Sequence, residues 1–426
     1  MRQAIRGSTY APGLLALALV TVCPAANAAA IQERAIQERA GQETASRRTA
    51  SPVQRAGAAP GTVRAAASVI VAPADRSDGV PTDTTILVGA RDGTLKKVTV
   101  KGPRGSLPGV LSADGTQWRS RGTAAPGTAY EVTAVAVNPD GETTESVTSF
   151  STAKADGTFS IANLMPHKDY TGLTVGVGMP IMITFDRDVT DRVSVERNLV
   201  VRTSRPVLGA WHWFDDRTIH FRPKTFWPAG TKVRLEAHLS GVPGGGGLYG
   251  RGDRVLDFRI GRAQITEGSI QSHHLTVRRN GEEIRRIPMS AGQGGQWKYH
   301  TTSGVHLAMS REPVTIMTSP GIGPGQPGYY RKTVYDTVRI SNSGEYVHSA
   351  PWSVGSQGSA NVSHGCVNVS PAHARWFIDN TLIGDPIIIT GSPRELEPLN
   401  GWGHWQEDWG QWTRWSSTKS FTTERA

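Results

Sequence analysis

The fold class follows from one stretch of the sequence, Tyr130-Glu131-Val132-Thr133-Ala134-Val135-Ala136-Val137. Apolar side chains alternate along it, so Val132, Ala134 and Ala136 share one face, as in a half-buried β-strand. Similar short runs flank it and are separated by Asp-Gly and Pro-Asp-Gly pairs, which favour tight turns. These runs are Thr85–Val88, Val98–Val100 and Ser146–Phe150. Several short strands at this spacing predict a β-sandwich over residues 67–154.

The β pattern continues through two further blocks. Residues 155–263 contain strand-like runs that predict a second sandwich; they include Pro180–Phe185, Thr218–Arg222 and Lys232–His238. Residues 264–391 form a third β-rich block, which begins with a hairpin around Asn280-Gly281. Its best helix candidate is Pro371–Asp379, because proline suits the first turn of a helix. The predicted fold class is therefore mainly β.

A tryptophan-rich extension occupies residues 392–426. Its rings are Trp402, Trp405, Trp409, Trp412 and Trp415. Their spacing would line one helical face, but interspersed glycines argue against a regular helix. We expect the rings to anchor the extension on the third block; the alternative is a carbohydrate-stacking surface.

The N-terminus predicts export. Residues 1–28 combine a basic start, the apolar run Leu14–Val20 and the cleavage-like Ala26-Asn27-Ala28, in the order of a secretory signal. The apolar run is short for a transmembrane helix, and Cys23 leaves lipidation or a retained anchor open. Residues 29–66 are polar and repetitive, which predicts a disordered linker. We therefore expect a protein of the cell envelope that touches a membrane only through its N-terminal segment.

Composition limits the classes of partner. Of the 426 residues, 38% are hydrophobic and 19% charged, which excludes a protein with many membrane spans. The net charge of +10 favours polyanions such as the acidic polymers of a bacterial wall. The basic residues are scattered rather than clustered, so no nucleic-acid site is predicted.

A single cysteine, Cys366, remains if the signal is cleaved after Ala28. A lone thiol in an exported protein indicates a working nucleophile, with a buried inert cysteine as the alternative. Such a thiol needs a base or a cation to lower its pKa. His364 is near in sequence, and His348 could reach the sulfur from an adjacent strand. Gly365 allows close approach, and free amides near the cysteine could form an oxyanion hole.

A metal site is not expected, because one cysteine and two histidines lack a fourth ligand of suitable spacing.

The motif around the thiol resembles a known signature. His348, fourteen further residues and then Ser363-His364-Gly365-Cys366-Val367-Asn368 are similar to the L,D-transpeptidases, the YkuD-domain family. The flanks, His348–Gly355 and Ser363–Pro371, resemble actinobacterial and mycobacterial members. In that type two immunoglobulin-like domains precede the catalytic domain and a tryptophan-bearing extension follows it. One departure is Thr301–Gly304, where the family has Thr-Pro-x-Gly; loss of the proline is expected to loosen this turn.

The resemblance implies roles for the residues of the catalytic motif. Cys366 would be the nucleophile and His348 the general acid and base. The backbone carbonyl of Ser349 would hold the His348 ring. His364 and Gly365 would shape the site around the sulfur.

It also implies a set of substrate-binding residues. Tyr330 and Met317 match a tyrosine and a methionine of the family's lid, beside the Gly/Pro-rich stretch Thr318–Gly328. Trp352 would line the pocket, with core packing as the alternative. Three further positions would contact the stem peptide: Ser343, Gly344 and Asn368.

The function implied by the resemblance is peptidoglycan L,D-transpeptidation without a cofactor. The enzyme would release D-Ala from a tetrapeptide stem, form a thioester and join a second stem in a 3→3 cross-link. Carbapenems would acylate the same cysteine. An L,D-carboxypeptidase with this site is the first alternative, and a non-catalytic wall-binding protein is the second.

Overall fold

The computed structural model describes residues 65–103, 105–171, 173–319, 322–327 and 329–425. The predicted signal peptide, Cys23 and the predicted linker up to residue 64 lie outside the described residues. In the described ranges, no helix is long and apolar enough to cross a membrane. Strands dominate these ranges, which confirms the mainly β fold class.

The first block is a sandwich of two sheets. Its strands are β1 (Ser68–Ala72), β2 (Ser77–Val80), β3 (Leu87–Arg91), β4 (Thr94–Gly102), β5 (Gly105–Leu107), β6 (Gly109–Leu111), β7 (Gln117–Ser120), β8 (Ala129–Val137) and β9 (Thr143–Thr152). One sheet has the order β1-β3-β7-β6 and the other β2-β9-β8-β4-β5. The stretch that decided the fold class is β8, and Val132, Ala134 and Ala136 all point into the core as predicted.

The second block is also a sandwich. Its strands are β10 (Gly157–Phe159), β11 (Ile161–Met165), β12 (Thr174–Val175), β13 (Ile181–Phe185), β14 (Leu199–Thr203), β15 (Leu208–Trp213), β16 (Thr218–Pro223), β17 (Lys232–Ala237), β18 (Pro243–Gly245), β19 (Leu248–Gly250) and β20 (Arg254–Ile260), with short helices α1 (Lys168–Thr171) and α2 (Arg192–Arg197). Its two main sheets contain β11-β13-β16-β15 and β12-β20-β17-β14. Large buried rings, among them Trp211, Trp213 and Trp227, fill the core between them.

The third block packs two sheets against each other and against one helix. Its elements are β21 (Gln264–Ser269), β22 (His274–Arg279), β23 (Glu282–Pro288), β24 (Gly304–Leu307), β25 (Ser310–Thr318), β26 (Arg331–Arg339), β27 (Tyr346–Ser349), β28 (Val367–Val369), α3 (Pro371–Asn380) and β29 (Pro386–Thr390). The sheet orders are β23-β22-β21-β29-β24 and β25-β26-β27-β28. The predicted hairpin turn lies between β22 and β23, and the predicted helix is α3, capped by the Ser370 hydroxyl.

The C-terminal extension packs mainly on the second sandwich, so the expectation that it anchors on the third block is wrong. Its elements are α4 (Trp409–Arg414), β30 (Ser420–Thr422) and β31 (Glu424–Arg425). β30 adds to the edge of β15 and β31 to the edge of β14. Trp412 is fully buried, and its Nε1 donates to the carbonyl of Ala210 at 3.0 Å. The extension packs here because the second sandwich has open sheet edges with which its strands can pair and aromatic side chains against which its tryptophans can pack.

The short helix α4 forms despite Gly410. Asp408 and Gln411 build a capping box, in which each side chain bonds the other residue's backbone N–H. Such reciprocal capping satisfies amides that the helix itself leaves unpaired, and it offsets the cost of one glycine.

Candidate active site

The parallel pairing of β27 with β28 brings the predicted nucleophile and base to one surface. His348 lies opposite Asn368 in this pair. Cys366 lies in the bend immediately before β28, two residues ahead of Asn368. The thiol, the imidazole and the Asn368 amide all line one cavity of about 560 Å³.

This cavity collects almost every residue that the sequence singled out. It is lined by four of the five predicted catalytic residues and by all six predicted to bind substrate. Ser349 is the exception, because it lies behind the His348 ring and contributes its carbonyl instead. In the described ranges, no group of three or more His, Cys, Asp or Glu side chains could hold a metal ion.

His348 is held as a neutral base. Its ring is buried, and its Nδ1 is 2.9 Å from the carbonyl oxygen of Ser349. A carbonyl only accepts, so Nδ1 carries the proton and Nε2 keeps its lone pair. Burial lowers the pKa of His348 to about 4, although the Ser349 hydrogen bond opposes this and Lys332 adds to it. At neutral pH the ring is therefore free to accept a proton at Nε2.

Cys366 is held as a neutral thiol. It is half-buried, and its Sγ lies 3.6 Å from the carbonyl oxygen of Gly344, to which it donates. Burial raises the pKa of Cys366 to about 12, opposed by the backbone N–H of Tyr346 and assisted by the Glu345 carboxylate. The sequence led us to expect a lowered pKa; the structure differs because desolvation disfavours the thiolate. A thiol held in this way would need a proton acceptor in order to act as a nucleophile.

His364 and Gly365 shape the surroundings of the sulfur. The His364 ring stacks on Tyr299 with centroids 4.4 Å apart, and its centroid lies 5.7 Å from that of Tyr330. Gly365 has φ +123°, a conformation that side chains rarely adopt. Its N–H donates to Ser363 Oγ and its carbonyl accepts from Thr301 Oγ1, so this amide is engaged rather than free for an oxyanion.

The long hairpin β25–β26 supplies one wall of the cavity. Met317 on β25 pairs with Lys332 on β26, and both line the cavity. Tyr330 stands at the end of the connecting loop, where its backbone N–H donates to Ser319 Oγ at 2.6 Å. Burial raises the pKa of Tyr330, so the phenol stays protonated. Pro320, Gly321 and Gly328 of this loop lie outside the described residues.

Trp352 belongs to the cavity rather than to the core. The residue is 49% exposed, which argues against the core-packing alternative. Lys332 Nζ lies 3.2 Å above its ring, and the ring centroid is 6.0 Å from that of His348. A cation over an indole face is an attractive contact, so the pair forms a fixed wall beside the base.

The turn between β26 and β27 carries the other predicted contacts. Ser343 is tied to the C-terminal extension, because its N–H donates to Asn400 Oδ1 at 2.8 Å. Gly344 follows with φ +91° and presents its carbonyl to the thiol. Across the cavity, Asn368 Nδ2 donates to Ser353 Oγ at 3.1 Å.

At the position of the family's proline, Thr302 is hydrogen-bonded to a buried carboxylate. Its N–H donates to Glu345 Oε1 at 2.7 Å, which a proline could not do. Its hydroxyl bonds the same carboxylate and lies 2.7 Å from His306 Nε2. All three side chains are buried, and the network fixes the floor of the cavity.

Several residues of the site were not predicted from the sequence, among them Lys332, Glu345, Arg394 and Asn400. None belongs to a motif, and Asn400 and Arg394 arrive from the distant C-terminal extension. Only their placement in three dimensions reveals them.

Two matches to family models agree with this architecture. Residues 265–389 match the L,D-transpeptidase catalytic domain, YkuD, and residues 77–243 match a bacterial Ig domain that runs across both sandwiches. Fold and site therefore define an acyltransferase with a YkuD catalytic domain.

Relatives narrow this class to one family. The chain is 36% identical to L,D-transpeptidase 2 of Mycobacterium tuberculosis over 342 residues, which are 79% of this chain and 82% of that protein. It is 33% identical to L,D-transpeptidase 5 of the same species over 352 residues, 81% and 76% of the two chains. A solved L,D-transpeptidase in complex with imipenem is 38% identical, covers 54% of this chain and 99% of its own, and has a TM-score of 0.46. The chain belongs to the L,D-transpeptidase family.

Proposed function

We propose that this L,D-transpeptidase forms 3→3 peptidoglycan cross-links, with Cys366 as nucleophile and His348 as general acid and base. The observation that carries the proposal is the cavity beside the paired strands β27 and β28. There a thiol and a neutral imidazole with a free Nε2 meet in one cavity.

Acylation begins with a proton transfer that accompanies attack. The Cys366 sulfur adds to the carbonyl carbon between the third residue and D-Ala of a tetrapeptide stem, while its proton passes to His348 Nε2. The tetrahedral adduct then collapses. The C–N bond breaks, the departing D-Ala amine takes the proton from His348, and a thioester remains on the sulfur.

Deacylation uses the same two groups in reverse. The side-chain amine of the third residue of a second stem attacks the thioester, and His348 Nε2 takes the amine proton. The C–S bond breaks, the thiol recovers that proton, and an amide joins the two stems. Ser349 has a positioning role throughout, because its carbonyl keeps the Nδ1–H tautomer.

The remaining cavity residues bind the stems. Tyr330 and Met317 are proposed to act as the lid above the donor peptide, and Trp352 as a side wall. Ser343, Gly344 and Asn368 supply polar groups near the sulfur, although the Asn368 amide must share its bond to Ser353. His364 and Gly365 keep the loop before the thiol in shape.

Inhibition and location complete the proposal. Carbapenems are expected to acylate Cys366, since a strained β-lactam carbonyl is attacked as the stem carbonyl is. We place the enzyme outside the cytoplasm at the cell wall, exported by residues 1–28 and tethered by residues 29–66. The sandwiches over residues 67–154 and 155–263 would act as spacers ahead of the catalytic residues 264–391 and the extension 392–426.

The deciding experiment incubates the mature protein with a disaccharide-tetrapeptide and identifies products by mass. A dimer that lacks one D-Ala supports transpeptidation, whereas tripeptide monomer alone would identify an L,D-carboxypeptidase. Cys366→Ala should abolish both products and the covalent meropenem adduct. His238→Ala serves as the control, because this histidine is 51% exposed on the second sandwich, does not line the cavity and should leave the adduct intact.

A further inference from the structure

The catalytic cavity is strongly basic. Four of its lining side chains are lysines or arginines: Lys298, Arg331, Lys332 and Arg394. Glu345 is the acidic residue among those that line it. Its carboxylate accepts from Thr302 and Ser343, and its one negative charge is outnumbered by the lysines and arginines of the cavity. The charge of the cavity therefore favours an anionic ligand.

Arg394 has one donor without a partner among the described residues, although its Nη2 already donates to Glu397. Its side chain is only 12% exposed, and Nη2 lies 3.4 Å from Glu397 Oε1. Within the described ranges, its buried Nε has no hydrogen-bond acceptor. A buried N–H without a partner is costly, and an acceptor delivered by a ligand would remove that cost.

Lys332 differs in this respect. Its Nζ rests on the Trp352 ring, and burial lowers its pKa. Lys298 likewise lies over the Tyr299 ring, with Nζ 5.0 Å from the centroid. These two lysines contribute positive potential to the cavity but are already in contact with aromatic faces.

The backbone around Arg394 is fixed. The carbonyl of Arg394 accepts from the N–H of Ser303 at 2.7 Å. Two residues further on, the N–H of Leu396 donates to the carbonyl of Ser303, also at 2.7 Å. Arg394 thus enters the cavity from a braced segment that lies beyond residues 265–389, the part matched by the catalytic-domain model. A guanidinium held in this way can present two parallel N–H groups to one carboxylate.

We propose that Arg394 is a substrate-binding residue that recognises a free carboxylate of the stem peptide. The inference rests on the proposed function, since it takes the stem as the ligand of this cavity. A stem carries carboxylates on its second residue, its third residue and its terminal D-Ala. The first two can be converted to carboxamides without touching the bond that is cleaved.

The test is a binding measurement that needs no turnover. Calorimetry would follow tetrapeptide stems binding to the full chain with Cys366→Ala, with and without Arg394→Gln. Three stems are compared: unmodified, amidated at the second residue, and amidated at the third. Arg394→Gln should weaken binding of the unmodified stem about 10- to 150-fold, the range for a hydrogen bond to a charged group.

The amidated stems identify the carboxylate. Amidation of the recognised carboxylate should weaken binding to the protein that keeps Arg394 by a similar factor. It should not change binding to Arg394→Gln, because that variant already lacks the guanidinium that the carboxylate contacts. The affinity of Arg394→Lys for the unmodified stem should lie between those of the parent and Arg394→Gln. Lysine keeps the positive charge but lacks the two parallel N–H groups of a guanidinium. The control is Arg375→Gln, at a 64% exposed side chain on α3, which should bind all three stems as the parent does.

No weakening of the unmodified stem by Arg394→Gln would overturn the assignment, whereas equal weakening of all three stems would assign the contact to the D-Ala carboxylate, which every stem keeps. If Arg394→Gln has a lowered melting temperature, Arg394→Lys replaces it in the comparison of the three stems. These outcomes are separate from failure of the proposed function. A parent protein with Cys366 intact that forms no dimer refutes transpeptidation, whatever the stems' affinities.

Discussion

Trp412→Ala is expected to destabilise the docking of the C-terminal extension on the second sandwich by about 4 to 6 kcal/mol. Trp412 is fully buried, and truncating such a ring costs about 3 to 5 kcal/mol. The change also leaves the Ala210 carbonyl without its donor, at a further cost of about 1 kcal/mol. The ring's contact with the Arg222 guanidinium, 4.7 Å from the centroid, is lost as well.

Opening of the extension can be measured by native-state proteolysis. Trypsin sites at Arg414 and Lys419 lie in the docked segment, and cleavage there tracks the population of the opened form. We expect Trp412→Ala to accelerate cleavage by at least about 100-fold, allowing for partial relaxation around the cavity. Urea unfolding followed by circular dichroism should show the matching loss of stability.

Trp415→Ala is the matched control. It removes the same ring from the same segment, but Trp415 is 56% exposed. Its loss should cost under about 1 kcal/mol. If the two variants open equally fast, the burial of Trp412 does not hold the extension and the reasoning fails.

Three further predictions concern charge. Glu345→Gln should lower the pKa of the Cys366 thiol, because the carboxylate raises it; an unchanged midpoint in the pH dependence of iodoacetamide alkylation would contradict this. Lys332→Met should raise the pKa of His348, since Lys332 lowers it; the imidazole resonance followed by NMR tests the direction. Burial lowers the pKa of His404 to about 3, from 6.5, so the neutral ring stabilises the fold above pH 6.5 and this contribution is lost as the pH falls towards 3. Between pH 6.5 and pH 4.5 the wild type should lose about 3 kcal/mol that His404→Gln does not lose, and equal losses in urea titrations of the two proteins would rule this out.

The identity of the reactive groups was predictable because it is local. The motif at Ser363–Asn368 and the upstream His348 predict a nucleophile and a base without any knowledge of burial. The idea that His348 reaches the sulfur from a neighbouring strand was also within reach, because short runs of apolar residues on either side predicted strands. The pKa directions were not predictable, since desolvation depends on what covers a group and not on its neighbours in sequence.

The β class, the turn at Asn280 and the helix from Pro371 were determined by the sequence itself. Alternating apolar residues, turn residues and helix-starting residues each act over a few positions. They therefore favour the same local structure in any fold that buries one face of the element. The docking of the tryptophan extension on the second sandwich, the network that Thr302 makes with Glu345, and the entry of Arg394 into the cavity were decided only by the tertiary structure. Each of these contacts joins segments far apart in the chain. The open strand edges and the unpaired buried donors that make them possible arise only once the domains have packed.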